Sequence, residues 1–121
     1  MAEYRIGEME AKFANLIWEQ EPIGTAALIT LCEKNFNWKR TTTYTVLKRL
    51  CDRGLFKLEN GTVTANIGKK EFQARRCEEF VKTAFDGSLP ALVLAYTAKN
   101  KLTKKEIKKI KKILNAIGDS D

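Results

Sequence analysis

The chain has 121 residues, a net charge of +7 and 44% hydrophobic residues, which suits one small domain with a helical appendage and excludes extensive disorder. It has no histidine, its cysteines Cys32, Cys51 and Cys77 show no C-x-x-C spacing, and no Gly-rich phosphate loop occurs, so no enzyme, metal centre or cofactor is expected. No stretch reaches the ~20 apolar residues of a membrane span, and the start MAEYRIGEME lacks the basic end and apolar run of a leader, so the expectation is a cytoplasmic protein without membrane insertion.

The segment GEMEAKFANLIWEQ places Met9, Phe13, Leu16 and Ile17 at helical spacing, beside Trp18, until Pro22 ends the pattern. Glu8 and Glu10 fall in the first turn, where acids favour the helix dipole. Thr25 is placed to cap a second helix with Ala27, Leu28, Leu31 and Cys32 on its apolar face, fading at Asn35–Asn37. A third helix follows Trp38 in RTTTYTVLKRLCDRG, with Thr43, Val46, Leu47 and Leu50 in one stripe and Gly54 at the left-handed C-terminal position. Threonine is a mediocre helix former, so the run Thr41 to Thr45 suggests a demand other than stability.

The period then changes. LFKLENGTVTANI alternates on both sides of Asn60-Gly61, a strong hairpin signal, predicting strands at about 55–59 and 62–67. Helical patterns resume with Phe72, Cys77, Phe80, Val81 and Phe85 as candidate buried positions up to a break at Asp86-Gly87. Ser88 opens a fifth helix whose first turn accommodates Pro90, and Thr103 with Glu106 forms a capping-box signature for a last helix carrying Ile107, Ile110, Leu114 and Ile117. The expected fold is therefore mostly α with a small β-hairpin: an N-terminal winged helix-turn-helix, 1–68, followed by a C-terminal helical dimerisation region, 69–121. The apolar stripes of that region bury poorly alone, and a second copy is the simple remedy, with Leu89, Leu92, Val93, Tyr96, Ile107, Ile110 and Leu114 as its contact residues. The alternative is that these helices fold back on the winged domain.

Charge marks the binding candidates. Residues 1–33 carry two basic and six acidic side chains, whereas 34–57 carry seven basic ones against the single Asp52. In a helix-turn-helix the second helix of the pair enters the major groove, and opposite the stripe of the third helix stand Thr41, Thr42, Tyr44, Thr45 and Lys48. Lys39 and Arg40 sit at the helix start, where anions are favoured, and Arg49, Arg53 and the wing cation Lys57 are candidate backbone contacts. The bland alternative is a solvated helix face. Trp18 and Trp38 adjoin apolar patterns and read as core residues, and the basic block Lys104, Lys105, Lys108, Lys109, Lys111 and Lys112 as the wet face of an amphipathic helix.

Three stretches together resemble the penicillinase-repressor family of winged-helix regulators, over nearly the whole chain. They are IGEMEAKFANLIWEQEPIGTAAL, NWKRTTTYTVLKRLCDRGLF and FDGSLPALVLAYTAKNKLTKKEIKKIKKIL. The second matches the family's recognition helix at Trp38, Thr42, Thr45, Arg49, Leu50 and Gly54, with Val46 and Leu47 as the apolar pair. The resemblance implies a repressor that sits on palindromic double-stranded operator DNA as a homodimer and lets go when a signal, in some members a signal-activated protease, breaks the dimer. Ala95-Tyr96 stands where antibiotic-responsive members are cleaved at an Asn-Phe bond, the end LNAIGDSD lacks the C-x-C pairs of copper-responsive relatives, and the wing is short. A protein–protein adaptor built on the same scaffold is the competing reading.

Overall fold

A computed structural model describes residues 6–118. Residues 1–5, at the start for which no leader is expected, and residues 119–121 fall outside the described residues. The elements run α1 (Glu8–Gln20), β1 (Ile23–Gly24), α2 (Thr25–Phe36), α3 (Arg40–Asp52), β2 (Phe56–Glu59), β3 (Thr62–Ala65), α4 (Lys69–Phe85), α5 (Leu89–Lys99) and α6 (Lys104–Gly118). They divide into two compact units, one up to Glu79 and one from Phe80 onward.

In the first unit, Phe13, Ala14 and Ile17 of α1, Leu28 and Cys32 of α2, and Val46, Leu47 and Leu50 of α3 converge on one core, joined by Leu55, Phe56, Val63 and Phe72. All four predicted stripe positions of α3 are buried, Thr43 included. Thr43 is tolerated there because its hydroxyl donates to the Lys39 carbonyl at 3.2 Å. The two tryptophans are packing residues. Trp18 lies 5.4 Å, ring to ring, from both Phe56 and Phe72, and its indole N–H donates to the Ile67 carbonyl at 2.9 Å. Trp38 stacks between Phe13 and Phe36 at 5.5 and 5.0 Å.

The hairpin is part of a three-stranded antiparallel sheet in the order β1-β3-β2. Glu59 pairs with Thr62 across the two-residue turn, and Asn60 and Gly61 take φ of 51° and 74°, as a type I′ turn requires. β1 adds Ile23 opposite Val63, and Thr25 N–H continues the pairing to the Gly61 carbonyl at 2.9 Å. The strands are shorter at their outer ends than the alternation suggested, because Leu55 has its N–H on the Leu50 carbonyl and closes the turn after α3.

Several sequence expectations are corrected. Thr25 is the first residue of α2 and Gly24 its N-cap, without a side-chain cap. Met9 and Ala27 are exposed, and of the apolar positions proposed for α4 only Phe72 is buried, while Cys77 and Phe80 are exposed and Val81 and Phe85 half-buried. The periodicity located the helices, but their apolar faces are wider than the surfaces that cover them.

In the second unit, Asp86 and Gly87 take φ of 49° and 80° and end α4, with the Gly87 N–H on the Val81 carbonyl at 3.0 Å. Ser88 Oγ accepts the Ala91 N–H, with Pro90 in the first turn of α5. Both halves of the capping box form at α6: Glu106 N–H to Thr103 Oγ1 at 3.0 Å and Thr103 N–H to Glu106 Oε1 at 2.9 Å. Neither α5 nor α6 has a buried residue, and Leu94 and Ile117 are 72% and 63% exposed. No described helix is long and apolar enough to cross a membrane.

Candidate nucleic-acid interface

α3 turns its buried stripe inward, so the side chains opposite are fixed by helical geometry. Thr41, Thr42, Tyr44, Thr45, Lys48 and Arg49 are all exposed, with Lys39 as the N-cap and Arg40 as the first residue. The structure therefore gathers the sequence-predicted residues from Lys39 to Lys48 on one outer surface. Thr45 Oγ1 donates to the Thr41 carbonyl at 2.9 Å, which leaves its lone pairs and methyl group facing outward. Lys48 pairs with Asp52 at 3.2 Å in an exposed contact that competing phosphate can displace.

Tyr44 stands between two clefts. One, of about 340 Å³, is lined by Tyr44, Leu47, Lys48, Cys51 and the exposed Leu58 of the wing. The other, of about 220 Å³, is lined by Thr25, Ala26, Ile29, Arg40 and Tyr44. The Arg40 guanidinium sits 5.8 Å from the centre of the Tyr44 ring. The Thr25 hydroxyl, followed by Arg40, holds the Tyr44 phenol below its ordinary pKa. Tyr44 is thus braced by the first residue of α2 and the first of α3.

Three further predicted cations have carboxylate partners. Arg49 Nη1 lies 2.9 Å from Glu10 Oε2, and Arg53 Nη1 lies 4.0 Å from Glu10 Oε1. Lys57 pairs with Glu59 at 3.1 Å and, by strand alternation, projects from the sheet face opposite buried Phe56. The sequence reading gives Glu10 and Thr25 only helix-start roles and does not single out Leu58. Glu10 carries a local signal, an acid three residues after the Gly7 N-cap, but its link to Arg49 spans 39 positions.

The first unit is a winged helix-turn-helix whose third helix exposes a polar face, and a family model described as the penicillinase repressor matches residues 6–116. The chain belongs to the penicillinase repressor family. It is 27% identical over 114 residues to the penicillinase repressor of Bacillus licheniformis, covering 91% of this chain and 89% of that protein. It is 24% identical over 116 residues to the methicillin resistance regulatory protein MecI of Staphylococcus aureus, covering 93% and 94%. The penicillinase repressor of Staphylococcus aureus is 24% identical over 107 residues, with 85% of each chain covered. Membership in this family carries a broad role as a transcriptional repressor. It also explains why the resemblance lies in all three sequence stretches: the match spans both compact units.

Proposed function

We propose that this member of the penicillinase repressor family is a homodimeric repressor that reads a palindromic operator with α3 in the major groove. The observation that carries this is the exposed surface of α3, where Thr41, Thr42, Tyr44, Thr45 and Lys48 lie opposite four buried stripe residues. Hydroxyls and methyl groups at helix positions 41, 42 and 45 suit base edges, while Lys39, Arg40 and Lys48 suit phosphates. Arg49 reaches a phosphate only by exchanging its carboxylate partner, and Lys57 serves the wing as a minor, sequence-blind contact. The second copy covers the apolar faces of α5 and α6, on which Leu89, Val93, Tyr96, Ile107, Ile110 and Leu114 are exposed and Leu92 half-buried.

The test is selection of bound sequences from a randomised duplex pool, followed by binding of Thr45→Ala and Lys48→Ala at two salt concentrations. A palindrome should be enriched. Thr45→Ala should relax preference at one position of each half-site, and Lys48→Ala should weaken binding to all sequences alike. Absence of any enriched sequence, with both variants like the parent, would establish the adaptor reading instead.

A further inference from the structure

The exposed polar surface of α3 is bordered by a charge cluster. Glu10, in the first turn of α1, accepts the Gly7 N–H at 2.9 Å on one oxygen and faces Arg49 at 2.9 Å with the other, while Arg53 approaches to 4.0 Å. Its side chain is only 15% exposed, whereas those of Arg49 and Arg53 are 49% and 36% exposed. The Gly7 N–H, then the Arg49 and Arg53 charges, outweigh desolvation and keep the carboxyl below its ordinary pKa, so it is ionised at neutral pH. Arg49 and Arg53 are one helical turn apart on the flank of α3 next to the exposed Thr42 and Thr45. Two guanidiniums at that place would attract any phosphate backbone regardless of sequence.

We infer that Glu10 is a specificity-determining positioning residue: it fixes the C-terminal half of α3 against α1 and withholds Arg49 from DNA phosphates, so that base contacts along α3 decide where the protein binds. The inference rests on the operator-reading function proposed above. It makes a separate claim about sequence-blind binding, which is measurable whether or not an operator exists.

The experiment uses the full chain and two duplexes, the sequence enriched from the random pool and a scrambled one, titrated by fluorescence anisotropy over a salt series. Glu10→Gln keeps the size of the side chain and removes its charge. It should tighten binding to the scrambled duplex at low salt and steepen the log–log salt slope by about 0.9, the value for one added phosphate contact. Discrimination between the two duplexes should fall about tenfold or more. Adding Arg49→Gln to Glu10→Gln should restore the parental slope, an effect that mere loosening of the fold would not produce. An unchanged slope in Glu10→Gln, or a slope that stays steep when Arg49→Gln is added, would overturn the inference. If no sequence is enriched, the operator reading fails, while the slopes on scrambled DNA still decide the role of Glu10.

Discussion

Trp18 and Phe72 face each other with ring centroids 5.4 Å apart, and this contact joins the last turn of α1 to the first turn of α4. Phe72 is 2% exposed, so its ring is held on every side by the core of the first unit. Phe72→Ala should therefore destabilise that unit by about 3–5 kcal/mol, the range for removing a buried aromatic ring. Trp18→Phe keeps an aromatic ring but removes the donor to the Ile67 carbonyl, and should lose about 1 kcal/mol. Urea unfolding followed by circular dichroism separates the two. Equal losses would mean that the ring contact adds nothing beyond the hydrogen bond.

The turn after α3 depends on backbone conformation and not on space. Gly54 has φ of +86°, and a Cβ placed there would meet nothing within 4 Å. Gly54→Ala should thus lower stability by about 1 kcal/mol through left-handed strain alone, and Gly54→Asn by less, because asparagine tolerates that region. If alanine proved neutral in urea unfolding, the left-handed geometry would not be a constraint on the α3 terminus.

Acid should act through Glu10. Its pKa is lowered in the fold by the Gly7 N–H, with Arg49 and Arg53 adding to the effect against desolvation. A carboxyl depressed in this way contributes stability that is fully present above its unfolded pKa and is lost as pH falls through the lower, folded value. Urea midpoints at pH 7, 5 and 3.5 should fall less steeply for Glu10→Gln than for the parent. Parallel pH profiles would show that the cluster does not contribute to stability.

The three thiols should be distinguishable by reactivity. Cys77 is exposed, Cys51 half-buried and Cys32 buried. Burial pushes the Cys32 thiol up, and burial together with the Asp52 charge does the same to Cys51. The thiolate is the reacting form, so at pH 8 a disulfide reagent should modify Cys77 first, Cys51 slowly and Cys32 only on unfolding. Mass mapping of the labelled peptides checks the order, and rapid labelling of Cys32 would contradict the packing of α2 against α3.

What could be read from the chain follows from how local each feature is. The α3 stripe, the Asn60-Gly61 turn and the Thr103–Glu106 box are set within a few residues, and each occurs where its spacing indicates. β1 was invisible because a strand of two residues exists only through its pairing with β3, which no periodicity signals. The same holds at the site. The polar surface of α3 is a helical periodicity, whereas the bridge from Glu10 to Arg49 and the bracing of Tyr44 by Thr25 depend on tertiary packing. Met9, Ala27 and Cys77 fit the apolar spacing and are nonetheless exposed for a related reason: spacing shows which side of a helix is apolar, not how much of it is covered.

The apolar faces of α5 and α6 are left uncovered by the single chain. Leu89, Val93, Leu94, Tyr96, Ile107, Ile110, Ile113, Leu114 and Ile117 are all exposed in the single chain. Burying each such side chain fully gains about 1.5–3 kcal/mol, so self-association through several of them has ample driving force even after the entropic cost of docking. In the proposed homodimer, Val93→Glu and Ile110→Glu would each place an unpaired carboxylate in that interface, and desolvating it is strongly unfavourable. Sedimentation equilibrium should show a dimer for the parent and association at least ~100-fold weaker for either variant, a shift of about 2.7 kcal/mol. Binding to a palindrome should weaken in parallel while affinity for a half-site stays unchanged, since α3 is not altered. Variants that remain dimeric would place the interface elsewhere on the chain, and a parent that sediments as a monomer would remove the second copy from the proposed function altogether.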